Sequence, residues 1–235
     1  LLKMDLQENT TATKRKVGVS NSYAYDSHWL EFALTTYCQA KCRSCARTNQ
    51  DTGEKESWLE LKHMDLNVFT STLELSKNLN ISTIQFCGEF GDPMMHPQIN
   101  KFVDVSMKVA KDSVIINTNG GLRTPDWYTS IVKQYGDKIN IQWAIDGTTH
   151  DVNWKYREGV DFERAMNNMK AYIEADGIGI WWFIIFEWNW HQIPQARKIA
   201  DELGIDIEFK FNQRNHGLIS NKSKLKAQRL LNEQV

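Results

Sequence analysis

Short apolar runs alternate with stretches of helical periodicity from residue 30 onward. Six of the runs are rich in β-branched and aromatic residues, and they predict strands at residues 30–37, 81–87, 113–117, 139–146, 178–187 and 205–211. Between them, apolar residues recur at helical spacing, for example at Ile99, Phe102, Val103 and Met107. Strands that alternate with helices in this way predict a parallel sheet with its helices outside.

Capping residues support the predicted helices. Asp65 is placed to cap the first helix, Thr124 precedes a proline at a helix start, and Gly204 follows the last clear helix.

Six βα units are too few for a closed barrel of eight strands. We therefore expect an α/β fold, a partial (βα)6 TIM-type barrel with a mostly parallel sheet. The continuous apolar run at 181–186 predicts strands that are buried on both faces.

Composition excludes several classes of protein. The 235 residues contain 28 Lys and Arg against 29 Asp and Glu, a balance that gives no overall attraction to nucleic acid or to an anionic membrane. The longest apolar run, at 180–186, is far shorter than the roughly 20 residues that span a bilayer. With no recognisable signal peptide, we expect a cytoplasmic protein.

The predicted organisation is a polar N-terminal arm at 1–28, a barrel at 29–212 and a basic C-terminal tail at 213–235.

Three of the four cysteines, Cys38, Cys42 and Cys45, fall within eight residues directly after the first predicted strand. Cysteines so close together make a poor disulfide framework and favour metal or redox chemistry in a reducing compartment. A [4Fe-4S] cluster held by three cysteines would leave one iron open to an external ligand. A structural zinc ion, in a non-catalytic binding module, would instead need a fourth ligand. The candidates for that ligand are His28, His63 and His96.

Small and polar residues also follow the next three predicted strands. Gly88 and Glu89 follow the second strand, an Asn-Thr-Asn-Gly segment begins at the end of the third, and Asp146 ends the fourth. Taken singly, such segments are as typical of a strand-to-helix turn as of a binding site. Because the carboxyl ends of parallel strands meet at one edge, where ligands bind, we expect them to surround the cysteine loop.

The Cys-x3-Cys-x2-Cys spacing after the first strand of a βα repeat resembles the signature of the radical S-adenosylmethionine (SAM) superfamily. The resemblance covers about residues 30–212 and implies a [4Fe-4S] cluster on the three cysteines, with SAM bound at the open iron. It implies an oxygen-sensitive enzyme that cleaves SAM reductively to methionine and a 5′-deoxyadenosyl radical, which abstracts a hydrogen atom from a substrate. It also implies a low-potential electron donor of the flavodoxin or ferredoxin type.

The same resemblance suggests which residues contact SAM. The segment that begins at Cys87 is similar to a Gly-Gly-Glu motif that meets the SAM amino group. Two asparagines after the third strand and an aspartate after the fourth resemble polar residues near the ribose or carboxylate, and an arginine beyond them resembles one that pairs with the carboxylate. The implied set is Gly88, Glu89, Asn117, Asn119, Asp146 and Arg157.

The chain departs from the family pattern at Ser44, where an aromatic residue usually stands, and at Cys87, which replaces the first glycine of the motif. Cys87 is either a packed thiol at a strand end or a fourth cluster ligand. The segments at residues 88–93, 117–123 and 188–192 are most similar to the SPASM/Twitch branch, whose members carry auxiliary clusters. No cysteine follows Cys87, so we expect a single cluster. This branch favours a peptide or protein substrate, with glycyl-radical-enzyme activation and nucleoside or cofactor modification as alternatives.

Overall fold

The computed structural model describes residues 28–212 and 218–233. Six parallel strands form one sheet in the order in which they occur in the chain. They are β1 (His28–Phe32), β2 (Ile81–Phe86), β3 (Ser113–Thr118), β4 (Ile139–Ala144), β5 (Ile178–Ile185) and β6 (Asp206–Phe211). Within the described residues β1 and β6 do not pair with each other, so the sheet is an open one. The α/β class and the partial barrel are confirmed.

Every connection between successive strands contains an α-helix. The helices are α1 (Leu66–Leu75), α2 (Ile99–Val109), α3 (Pro125–Tyr135), α4 (His150–Trp154), α5 (Phe162–Glu174), α6 (Ile193–Leu203) and, after β6, α7 (Asn221–Asn232). The three predicted capping positions are confirmed, since Asp65 and Thr124 accept backbone hydrogen bonds at their helix starts. Gly204 ends α6 in the left-handed region, at φ 74°. The short α4, in the fourth connection, had no counterpart in the predicted pattern.

The first strand is shorter than its apolar run. β1 ends at Phe32, and the prediction that it continues through residue 37 is wrong. Beyond β1, the Leu34 carbonyl accepts a hydrogen bond from Met64 N at 2.8 Å, and Thr35 forms an isolated antiparallel bridge with His63. The chain after Phe32 therefore leaves the sheet to pair with the segment before α1, and this turn starts the cysteine loop.

The two faces of the sheet differ in burial. Side chains that point outward against the helices, such as Trp143, Trp181 and Phe183, are completely buried. The alternate residues of β3, β4 and β5, such as Gln142 and Trp182, are only partly buried and line a cavity. The prediction that both faces are buried is wrong, because an open barrel of six strands leaves its inner face accessible. Each large apolar side chain buried on the outer face contributes about 1.5–3 kcal/mol.

The ends of the chain are described only in part. The predicted arm at 1–28 lies outside the described residues except for His28, the first residue of β1. The predicted basic tail contains α7, which is held by Glu187, whose carboxylate accepts hydrogen bonds from Ser220 N and Ser223 Oγ at 2.8 and 2.6 Å. Among the described residues no helix has the length and apolar character needed to cross a membrane.

Candidate functional site

The three cysteines that follow β1 line one cavity of about 860 Å³ on the inner side of the sheet. Cys42 is buried, with 5% of its surface exposed, while Cys38 and Cys45 are partly buried. The cavity also brings together most of the residues that the sequence suggested for SAM. Those that line it are Gly88, Glu89, Asn117, Asn119 and Arg157.

Each thiol contacts a group from a different neighbouring loop. The pairs are Cys38 Sγ with Asn119 Nδ2 at 3.9 Å, Cys42 Sγ with Arg157 Nη1 at 3.8 Å, and Cys45 Sγ with the Glu89 carbonyl oxygen at 3.7 Å. The loops after β1, β2 and β3 and the segment after α4 thus meet around the three sulfur atoms.

The histidines predicted as zinc ligands can be placed relative to the three thiols. Among residues 28–212 and 218–233, no three His, Cys, Asp or Glu side chains are grouped as ligands of one ion. A zinc ion needs four donors at about 2.0–2.3 Å, whereas the cysteines of a cluster bind separate irons and stand apart. The proposed zinc histidines are engaged elsewhere, because His63 Nδ1 lies 2.9 Å from Thr35 Oγ1 and His96 Nε2 lies 3.0 Å from the Met64 carbonyl. His28 begins β1, at the opposite end of the strand from the loop.

Two of the thiols are held in their neutral form. Burial raises the pKa of Cys38 to about 12, and the nearby Asp92 carboxylate adds to the rise. Burial likewise raises the pKa of Cys42, although the Arg157 guanidinium opposes the rise. Both shifts favour the neutral thiol in the metal-free protein, so binding of a metal centre to these thiols would release protons.

Asp146 is fully buried behind the cavity and holds Arg157 in place. Asp146 Oδ2 accepts a hydrogen bond from Arg157 Nε at 2.6 Å, and Oδ1 accepts one from Ile184 N at 2.7 Å. Burial raises the pKa of Asp146, and the guanidinium opposes that rise. Since both carboxylate oxygens have protein partners, Asp146 acts in this structure by orienting Arg157 toward Cys42.

Two polar residues in the same region were missed by the sequence reasoning. Asp92, 3% exposed, accepts hydrogen bonds from Met94 N, Thr118 Oγ1 and Asn119 N at 2.9–3.0 Å. Gln39 Nε2 donates to Asn119 Oδ1 at 2.7 Å. An aspartate directly before a proline that starts a helical turn was a usable signal for Asp92, whereas no local pattern indicates Gln39.

Two further asparagines, Asn153 and Asn189, hold the backbone just after β4 and β5 by hydrogen bonds. Asn189 is completely buried, accepts a hydrogen bond from Phe186 N and donates to the carbonyls of Asp146 and Ile184 at 2.7–2.9 Å. Asn153, on α4, accepts a hydrogen bond from Asp146 N at 2.9 Å. The backbone around Asp146 is thus held by side chains from two later segments.

Cys87 lies in the same cavity as the other three cysteines, at the end of β2. It is partly buried, and burial together with a hydrogen bond to Glu31 raises the pKa of its thiol to about 11. Glu31 is on β1 and lines the cavity. The thiol of Cys87 is therefore partnered by a neighbouring strand, and it is not a fully packed core residue.

Gly91 allows the loops after β1 and β2 to approach each other. A Cβ atom at this position would overlap the carbonyl oxygen of Thr35 and would lie 2.7 Å from that of Tyr37. Asp92 N also donates to the Tyr37 carbonyl at 2.9 Å. The close approach therefore positions the start of the cysteine loop.

We expect Gly91→Ala to push this loop away and to lower the free energy of unfolding by about 1–3 kcal/mol, as other overpacked sites do. It should also lower the iron bound per chain after anaerobic reconstitution. Gly136→Ala is the control, since Gly136 has a φ of 60° and open space around it, and it precedes β4 at the opposite edge of the sheet from the site. That variant should lose stability but bind iron like the wild type. Normal iron binding by Gly91→Ala would contradict the positioning role.

No protein-family model and no curated protein matches the sequence, but several solved structures match the fold. Native anSMEcpe with bound AdoMet superposes with a TM-score of 0.68 and 15% identity, over 88% of this chain and 59% of that one. Streptococcus suis SuiB bound to S-adenosylmethionine gives 0.68 and 16%, over 87% and 46%. Methylornithine synthase (PylB) gives 0.58 and 12%, over 86% and 61%.

These proteins are radical SAM enzymes, and the chain spans about half the length of the first two. At such low sequence identities the similarity is one of fold. The chain therefore has the partial-barrel fold of the radical SAM enzymes, as the spacing of Cys38, Cys42 and Cys45 had suggested.

Proposed function

We propose that this protein is a radical SAM enzyme, in which Cys38, Cys42 and Cys45 hold a [4Fe-4S] cluster and SAM binds in the adjoining cavity. The observation that carries the proposal is the set of three sulfur contacts. Each thiol of one loop lies within 4 Å of a residue that the sequence resemblance assigned to SAM, and these residues come from three different segments. The fold supports the same conclusion.

When bound, the cluster would supply one electron to split SAM into methionine and a 5′-deoxyadenosyl radical that takes a hydrogen atom from the substrate. The protein's part is to orient SAM. Arg157, with its Nε held by Asp146 and its Nη1 beside Cys42 Sγ, keeps Nη2 for the SAM carboxylate. Asn117 Oδ1 accepts a hydrogen bond from Gln85 Nε2 at 3.1 Å, which leaves its own amide N–H groups for a ligand oxygen. Gly88 and Glu89 line the cavity and would contact the SAM amino group.

Aromatic rings pack beside Arg157. Its guanidinium carbon lies 5.0 Å from the ring centre of Tyr156, which contacts Phe186, which in turn stacks on Trp188. In such a water-poor environment, an interaction between the guanidinium and a carboxylate is stronger than at the surface. The surroundings of Arg157 therefore favour an anionic group of the ligand beside its guanidinium.

Anaerobic reconstitution tests the proposal. The protein should take up about four irons and four sulfides per chain. On reduction with dithionite in the presence of SAM it should form 5′-deoxyadenosine. A single tightly bound zinc ion and no SAM cleavage would support the binding-module alternative and would contradict the proposal.

We further propose that the substrate is a peptide or protein and that a flavodoxin or ferredoxin supplies the electron in the reducing cytoplasm. Streptococcus suis SuiB has been solved with its precursor peptide SuiA, and anSMEcpe with a Cp18Cys peptide. The accessible inner face of the sheet, lined by Glu31, Gln142, Trp182 and Lys210, leaves room for a polar chain beside the SAM site.

Isotope transfer tests the substrate class. The reconstituted enzyme is incubated with SAM and either a peptide fraction or a small-molecule fraction from cells grown in deuterated medium. Hydrogen abstraction from a peptide should place deuterium in 5′-deoxyadenosine only with the peptide fraction. Transfer only from the small-molecule fraction would overturn the peptide proposal and would favour nucleoside or cofactor chemistry.

A further inference from the structure

Arg47 is a buried arginine two residues after the last cysteine of the loop. It is 8% exposed and lines the cavity. Its Nη1 donates to the carbonyls of Cys38 and Ala40 at 3.2 and 3.1 Å, and its Nη2 donates to the carbonyl of Thr36 at 3.3 Å. One planar guanidinium therefore holds three backbone groups that lead into Cys42, which fixes the curvature of the loop.

Within the described part of the chain, no carboxylate balances the charge of Arg47. Among the described residues no carboxylate lies within ion-pair distance, and Arg47 Nε is buried without a hydrogen-bond partner. A buried cation that contacts only carbonyl dipoles is costly, since such charges are normally paired with an anion. The residues of the loop therefore account for the shape of Arg47's site but not for its charge.

An iron–sulfur cluster on this loop would provide the missing negative charge. A [4Fe-4S] core with a 2+ charge, held by three thiolates, is an anion, and its reduction by one electron makes it more negative. Charge and hydrogen bonds near the sulfurs set the reduction potential of such clusters. A fixed cation at Arg47 stabilises the reduced form more than the oxidised form.

We propose that Arg47 is a positioning residue that shapes the three-cysteine loop before metal binds, and that its buried charge raises the reduction potential of the cluster. The inference depends on the proposed function for its second part only. In the redox titration dithionite supplies the electron, and the charge of the [4Fe-4S] core changes from 2+ to 1+ with its ligands unchanged.

Two variants of Arg47 separate its effect on the shape of the cysteine loop from the effect of its charge. Arg47→Lys keeps the cation but loses the planar fork, and Arg47→Gln loses the cation. Arg197→Lys is the matched control, because Arg197 also donates to two backbone carbonyls, those of Leu230 and Leu231, but in α7. Circular dichroism verifies that each variant is folded.

Hydrogen exchange in the metal-free protein tests the loop. The amides of Tyr37, Lys41 and Cys45, which are hydrogen-bonded in the native loop, should exchange about fivefold faster or more in both Arg47 variants, since about one net hydrogen bond is lost. They should exchange at the wild-type rate in Arg197→Lys. Wild-type exchange in both Arg47 variants would overturn the positioning role, and this result does not depend on whether a cluster binds.

A redox titration of the reconstituted protein with dithionite, followed by electron paramagnetic resonance, tests the charge. The midpoint potential should be more negative in Arg47→Gln and close to the wild-type value in Arg47→Lys. A wild-type potential in Arg47→Gln, or a large negative shift in Arg47→Lys, would overturn the electrostatic role. If the wild-type protein takes up no cluster, the proposed function itself fails, while the exchange experiment still decides the positioning role.

Discussion

Cys42→Ser should abolish the formation of 5′-deoxyadenosine from SAM and should sharply lower the iron bound per chain. Cys42 is the central and most buried thiol of the loop, and its sulfur lies 3.8 Å from Arg157 Nη1. Its loss removes one of three protein ligands, so the cluster would be left with two. Iron and sulfide analysis and chromatography of the SAM cleavage products measure both effects.

Cys87→Ser is the matched control for this experiment. Cys87 lines the same cavity but follows β2 and is partnered by Glu31. It should keep the wild-type iron content. Loss of iron in Cys87→Ser would make Cys87 a fourth ligand, and retention of SAM cleavage in Cys42→Ser would show that the cluster assignment is wrong.

Arg157→Met should lower the free energy of unfolding of the metal-free protein by about 3–5 kcal/mol, because it leaves the charge of Asp146 buried and unpaired. The side chain of Asp146 is completely buried and that of Arg157 is 15% exposed. The double variant Asp146→Asn/Arg157→Met should regain much of this stability, since it leaves no buried charge. Urea denaturation monitored by circular dichroism measures each value.

A surface ion pair provides the control for Arg157. Arg164, on α5, and Asp161, the residue that caps this helix, lie 3.7 Å apart. Both side chains are about half exposed, so Arg164→Met should cost less than about 1 kcal/mol. Neither Arg157 variant should bind SAM, whatever its stability. If the double variant bound SAM as tightly as the wild type, Arg157 would be a structural residue and not part of the SAM site.

The strands and helices were predictable because the outer face of the sheet has a simple pattern. Residues such as Ile116, Ile141 and Phe183 alternate with partly buried neighbours. Helices α1, α3, α5, α6 and α7 also begin or end at a recognisable capping residue. The inner face was not predictable in the same way. Trp182 looks like a core residue in the sequence, but an open sheet of six strands leaves it at a cavity wall.

The cysteine loop was found from its spacing, but the residues that hold it in place were not. Arg47 acts through backbone carbonyls that any sequence would offer, so its side chain alone gives no signal of what it contacts. Asn189 reaches the carbonyl of Asp146 across 43 residues of chain. Such contacts depend on the register of distant segments, which local propensity does not encode.

The central claim is that three thiols of one loop hold a cluster with an iron open to SAM. Electron paramagnetic resonance of the reconstituted, dithionite-reduced protein, recorded with and without SAM, tests it most directly. We expect the signal of one reduced [4Fe-4S] cluster per chain, and a change in its g values when SAM is added. A spectrum that SAM leaves unchanged, or a protein that shows no cluster signal after reconstitution, would contradict the claim.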